Sequence, residues 1–282
     1  MQIFLTILVC LFASFFAGIG TGFVGMSAAV AITPILMGFL GIPHFEATAI
    51  ALASDVLASA GAAIMYGRHK NVDIKNGLIL LITILIFTFG GTVAAYYVPN
   101  TMMGIGTLVS ITLMGLKMLI FPNTRLGRAK EGLTKRRKFV YSVLFGALIG
   151  FVCGFCGAGG GMLLLLVLTV FLGYEMHMAV GTSVFVMSFS AFTGSAFHVM
   201  WEAIKGGKTP GLGMFESENF FNVLILCIAF TLIFSLLGSK FANRMSEKTL
   251  NIFSGAMLLF IAITVAIVML VKGLAWVRVK IR

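Results

Sequence analysis

Eight predominantly apolar stretches divide this chain from end to end, at about 3–40, 47–66, 77–98, 101–120, 139–173, 177–200, 220–241 and 249–271. A helix needs roughly 20 such residues to cross a hydrocarbon core of ~30 Å. The chain is 60% hydrophobic and 10% charged. A soluble domain carries about 25% charged residues, so this chain cannot cover a water-facing surface. It reads as an all-α polytopic membrane protein of about 8–10 membrane segments, with the lipid bilayer as its surroundings. The longest polar stretch, 121–138, is too short for a soluble domain. The net charge of +11 is carried at segment ends, where it reports loop orientation and headgroup contact rather than nucleic-acid binding. The start, "MQIFLTILVCLFASFFAG", has no basic leader and reads as a first membrane segment rather than a cleaved signal.

The stretch 121–138 is basic and falls at mid-chain, which invites a search for duplication. A shift of 132 aligns Gly18 with Gly150, Gly22 with Gly154, Phe23 with Phe155 and Gly25 with Gly157. It also aligns Leu36, Phe39, Leu40, Gly41 and Ala47 with Leu168, Phe171, Leu172, Gly173 and Ala179, making nine identities in thirty positions. Further on, Gly91, Ala95 and Ile105 match Gly238, Ala242 and Ile252 at a shift of 147. The difference is absorbed by one polar loop, "EAIKGGKTPGLGMFESEN" (202–219). The chain therefore reads as a first transmembrane repeat (1–120), a basic cytoplasmic linker (121–138) and a second transmembrane repeat (139–282). The basic loop 67–75 lies two spans before the linker, so both belong on the cytoplasmic side. Lys240, Arg244 and Lys248 are one span from the basic tail, and the two groups cannot share a side. Inverted repeats are preferred to parallel ones, although charge does not decide between them.

Each half begins with an interrupted segment: "GIGTGFVGMSAA" (18–29) and "GFCGAGGG" (154–161). Neither contains a charge, and the apolar flanks are short. That describes a broken or re-entrant helix whose backbone is buried in protein, since lipid cannot satisfy it. Matched breaks in two halves point to a transporter binding site. The nucleotide-loop readings fail, because no strand precedes the glycines and "MLLLLVLTVFLG" follows them. Two readings stay open. Small residues let membrane helices approach closely; alternatively, unwound glycine backbone and helix N-termini offer N–H donors to an anion. The second makes Gly25, Ser27, Gly157, Gly159, Gly160 and Gly161 substrate-binding candidates. Thr182 and Ser183, in the hydroxyl-rich "AVGTSVFVMSFSAFTGSAFH" (179–198), join them as donors to substrate oxygens, against the alternative of helix–helix hydrogen bonding.

Asp55 lies well inside a predicted span and is the ion-coupling candidate. It would carry a proton or coordinate a cation, unless it pairs structurally with Arg68 or Lys70. His198 and Trp201 suit an interfacial belt, and His44 and Glu46 suit a loop at an entrance. Cys153 and Cys156 have redox-motif spacing, but Thr21 and Val24 take their places in the first half, so small apolar filler is the better reading. No metal-ligand cluster, no cofactor motif and no nucleophile triad is present in the sequence; catalytic residues are not expected.

The glycine-rich "GFCGAGGG", the "AVGTS" some twenty residues later and the counterpart "GFVGMSAAVAITPIL" resemble the TauE/SafE (TSUP, DUF81) family of sulfite-exporter-like permeases. The resemblance runs through both halves. It implies a multi-pass permease of the prokaryotic cytoplasmic membrane, not an enzyme, that moves a small sulfur-containing anion such as sulfite, thiosulfate or a sulfonate. It leaves room for a homo-oligomer. The family's motifs fall on Gly157, Gly159, Gly160, Gly161, Thr182 and Ser183. The first half departs from the pattern, with "GMSAA" for a triple glycine and "AIA" (49–51) where the second half has "GTS".

Overall fold

The structure is a computed structural model that describes residues 2–42, 44–95, 108–109, 112–113, 115–120, 135–156, 160–206 and 218–281. The nine helices used below are α1 (Gln2–Val24), α2 (Ala29–Phe39), α3 (His44–Arg68), α4 (Ile74–Ala95), α5 (Lys135–Cys156), α6 (Gly160–Leu166), α7 (Met176–Gly206), α8 (Glu218–Ala242) and α9 (Glu247–Ile281). A π-helical turn, Val167–Phe171, continues α6. Among the described residues, six helices are long and apolar enough to cross a membrane, and Ala29–Phe39, Phe139–Cys153 and Gly160–Phe171 are shorter apolar pieces. The protein is an all-α polytopic membrane protein.

Large apolar side chains face outward along these helices: Ile3, Phe4, Ile86, Leu144, Phe192 and Ile225 are all more than half exposed. The interior instead holds Ser14, Thr21, Ser54, Asp55, Ser59, Thr182, Ser183, Thr231, Ser235, Ser239 and Ser254, each 0% exposed. This is the reverse of a water-soluble distribution, and it fits a solvent of lipid tails. Most of the inward hydroxyls are locally satisfied, as when Ser54 donates to the Ile50 carbonyl at 2.8 Å and Thr88 to that of Ile84 at 2.7 Å.

Two close helix pairs frame the bundle, and glycines make both possible. A Cβ on Gly18 would sit 2.6 Å from the Thr231 carbonyl, and one on Gly22 would sit 2.6 Å from the Ser239 nitrogen. In the other pair, a Cβ on Gly150 would lie 2.5 Å from the Ile84 carbonyl. Residue numbers rise together along each contact, so α1 runs parallel to α8, and α5 runs parallel to α4. By contrast, α3 and α7 run antiparallel, because the Asn71–Asp73 loop after α3 packs on Gly181 and Thr182 near the start of α7.

The helix boundaries repeat at the shift of 132. α1 and α5 end at Val24 and Cys156, α3 and α7 begin at His44 and Met176, and Gly41 and Gly173 both adopt left-handed backbone, at φ 66° and 70°. Two boundaries differ from expectation. The linker's residues 121–134 lie outside the described residues, while 135–138 already belong to α5. α7 also runs on through Gly206, into the stretch read as a loop, and 207–217 lie outside the described residues.

Candidate functional site

α1 stops at Val24 because Gly25 turns left-handed (φ 65°). Its N–H closes on the Thr21 carbonyl at 3.0 Å, the glycine cap that ends many helices. Four residues later α2 begins, so 25–28 form a break inside the bundle. Neighbouring side chains satisfy the freed carbonyls: Tyr66 Oη donates to Gly22 at 2.8 Å and Thr21 Oγ1 reaches Met26 at 3.0 Å. Ser183 Oγ lies 2.9 Å from the Gly25 carbonyl and 3.3 Å from that of Gly161.

The second break packs directly onto the first. A Cβ added to Gly161 would lie 2.5 Å from the Gly25 carbonyl, 3.0 Å from Met26 Cα and 3.1 Å from the Ser27 nitrogen, which are all backbone atoms. One on Gly160 would overlap Cys153 Sγ. Gly157 and Gly159 lie outside the described residues, as does the Cys156 side chain. Ser183 therefore bridges the two breaks, with its single proton directed at carbonyls.

Asp55, 0% exposed on α3, reaches the first break. Ser27 Oγ donates to its Oδ2 at 2.7 Å, and the Ala28 amide adds a backbone donor to the carboxyl. Oδ1 is buried without a partner among the described residues. Arg68 and Lys70, the structural partners weighed above, are exposed at the far end of α3 and its turn. Thr182 points elsewhere, accepting the Asp73 N–H at 3.0 Å. The structure thus brings together Gly25, Ser27, Asp55, Gly160, Gly161 and Ser183, and turns the neighbouring Thr182 hydroxyl away from them onto Asp73. The side chains of His44, Glu46, His198 and Trp201 lie outside the described residues.

Thr182 belongs to a polar cluster that residue-by-residue reading missed. Asp73 Oδ2 accepts from Tyr174 Oη and Asn76 Nδ2, both at 2.6 Å, while Asp73 Oδ1 takes the Asn76 N–H at 3.1 Å, capping α4. Burial works to raise the pKa of this carboxyl, but the hydrogen bonds from Tyr174 and Asn76 prevail and hold it below the ordinary carboxylate value. Burial, reinforced by Asp73, pushes the Tyr174 phenol up. Nearby, Asn71 Nδ2 donates to Asn243 Oδ1 at 3.0 Å, and Glu247 accepts the Met176 N–H at 3.1 Å. These bonds tie the α3–α4 turn, the start of α7 and the α8–α9 turn together at one end. The only sequence signal was an Asp three residues before an Asn at a helix start.

Among the described residues, a helix-only bundle with an apolar exterior and a hydroxyl-lined interior, in which the start of α6 seats on the break between α1 and α2, defines a multi-pass membrane protein. Residues 10–265 match the family described as Sulfite exporter TauE/SafE, and the chain belongs to that family. Among curated relatives it is similar to the "Probable membrane transporter protein YunE" of Bacillus subtilis (strain 168), 22% identical over 196 residues, covering 65% of this chain and 72% of the relative. It is also similar to the "Probable membrane transporter protein YdhB" of the same strain, 23% identical over 239 residues, covering 84% and 91%. No solved structure matches.

Proposed function

We propose that this protein is a permease for a small oxyanion of the sulfite, thiosulfate or sulfonate class, bound where the two broken helices meet and moved without chemical change. The observation that carries the reading is the seating of Gly161 against the backbone of Gly25–Ser27. It brings together two helix breaks that start 132 residues apart. Gly157, Gly159, Gly160 and Gly161 would present N–H donors and the N-terminal end of α6 to the anion. Gly25, Ser27 and Ser183 shape the opposite wall, and Thr182 supports it from the first turns of α7.

Two inverted halves support alternating access about this point. The antiparallel course of α3 and α7 is what an inverted duplication requires, and the exchange of partners between α1–α8 and α5–α4 fits any two-fold duplication. The same directions put Arg68, Lys75, Arg136, Lys240, Arg244 and Lys248 at one end, which the positive-inside rule makes cytoplasmic in a prokaryotic inner membrane. The basic positions Lys272, Arg278 and Lys280, in the last turns of α9, then fall on the other side. Purified protein in liposomes should take up labelled thiosulfate, sulfite or a short sulfonate faster than protein-free vesicles. If none of them moves while a cation does, the anion reading fails.

A further inference from the structure

The two breaks are not chemically equivalent. At the first, Ser27 Oγ and the Ala28 amide, the donors an anion would use at the start of α2, are already turned onto the Asp55 carboxyl. At the second, the residue 132 positions after Asp55 is Met187, whose sulfur lies 3.9 Å from where a Cβ on Gly160 would be. Gly160 itself stands 132 positions after Ala28. A thioether at one break therefore occupies the place of a carboxyl at the other. The first break carries its own carboxyl, whereas Met187 brings no ionisable group to the second.

We infer that Asp55 is the proton site of the permease, and that the substrate anion at the second break can be held only when Asp55 is protonated. The inference rests on the oxyanion reading above. The breaks touch through Gly161 and Gly25–Ser27, so an anion at the second lies one residue away from the carboxylate at the first. Two negative charges so close in a dry interior repel strongly, and one of them must be neutralised. The atom that takes the proton is Oδ1, buried and unpartnered, while Oδ2 keeps the Ser27 hydrogen bond. In the balanced step, one proton adds to the carboxylate as one anion binds, and both leave on the other side.

Lys117, partly buried, meets Thr169 Oγ1 at 3.4 Å rather than Asp55, and among the described residues no cationic side chain bonds the Asp55 carboxyl. α2 has no ionisable residue, and the one in α1, Cys10, is hydrogen-bonded to Cys227 of α8. Tyr66 of α3 donates to Gly22, His177 of α7 meets the Ala242 carbonyl, and Arg68 and Lys240 are exposed. His44 and Glu46 of α3, His198, Glu202 and Lys205 of α7 and Glu218 of α8 stand about 12 Å or more along their helices from the level of the breaks, at 1.5 Å per residue. A metal cation fits less well than a proton. The Gly25 and Met26 carbonyls already accept from Ser183 and Thr21, and no group of three carboxylate, imidazole or thiol ligands occurs among the described residues.

The test uses the full chain in liposomes with labelled thiosulfate and, separately, ethanesulfonate. An imposed proton gradient should drive accumulation at least tenfold above equilibrium, while a sodium gradient should not. Asp55→Asn should lose accumulation yet still exchange labelled for unlabelled thiosulfate, now independently of pH. Size-exclusion profiles establish that the variant is folded; the gradient arm on the unaltered protein decides the matter even if it is not. Movement of neither anion overturns the permease reading itself. Movement indifferent to the proton gradient, a sodium-driven flux, or undiminished accumulation by Asp55→Asn overturns this inference alone.

Discussion

Replacing Gly161 with Ala tests whether the contact between the two breaks is as close as described. The added methyl would lie 2.5 Å from the Gly25 carbonyl oxygen, whereas carbon and oxygen normally keep about 3.3 Å or more. The breaks must part by roughly 0.8 Å, and neither wall holds a flexible side chain that could yield. Overpacking of this kind costs about 1–3 kcal/mol. Parting also strains Ser183, whose hydroxyl sits 2.9 Å from one carbonyl and 3.3 Å from the other, at about 0.5–1.5 kcal/mol for a hydrogen bond lost. The gain in helix propensity returns about 1 kcal/mol, for a net loss of roughly 1–3 kcal/mol. The controls are Gly90→Ala and Gly194→Ala, where a Cβ meets no atom within 4 Å; these should be neutral or slightly stabilising. Thermal unfolding in detergent should fall by several degrees for Gly161→Ala relative to the controls, at about 2–4 °C per kcal/mol, and thiosulfate flux should drop. A melting temperature within a degree of Gly90→Ala, with full flux, would refute the argument.

Ser183→Ala should lower thiosulfate affinity and stability together, because two carbonyls lose a shared donor; an unchanged Km with unchanged melting would deny it the bridging role. Tyr174→Phe removes a bond to a half-buried carboxylate, worth about 1 kcal/mol after screening by solvent, and should speed hydrogen exchange at 69–76. The Asp73 carboxyl sits below its ordinary value of 3.8 when folded, so the closure it supports is complete above that value and is lost as pH falls through the folded one. Exchange at 69–76 should therefore be protected to the same degree at pH 5 as at pH 8, apart from the intrinsic rate change, and should lose that protection only in strong acid. Cys153→Ser combined with Cys156→Ser should transport normally, and a loss of flux in a folded double variant would revive a thiol role.

The apolar segments and the end of α1 at Gly25 were legible because their signals are local: a charge-free run, then a glycine with apolar flanks. Glycine itself was ambiguous from sequence. In the structure Gly18, Gly22, Gly150 and Gly161 each leave room for a close backbone approach, while Gly25 supplies the left-handed turn that ends α1. Direction was not legible, since the antiparallel course of α3 and α7 rests on contacts between Asp73 and Thr182, 109 residues apart. Asp55 stood out in the sequence, yet its partner did not. A search along its own helix leads to Arg68 and Lys70, whereas Ser27 approaches from across a chain break. Asp73 looked like one more polar loop residue because its partner Tyr174 lies 101 positions away.

The seat of Gly161 on Gly25–Ser27 has one more consequence. Most interfaces inside a protein interlock through side chains, and one half can turn against the other only by resetting many rotamers. Here the closest contacts are backbone on backbone, spanned by the Ser183 hydroxyl. A tilt of one half over the other at this spot changes angles without breaking a jigsaw, as a stone rocks on a smooth fulcrum. The polar cluster around Asp73 lies close by, since Thr182, which takes the Asp73 N–H, is the neighbour of Ser183. Resistance to such a tilt would therefore fall on a few exchangeable hydrogen bonds, those of Ser183 and of the Asp73 cluster beside it, rather than on an interlocked core.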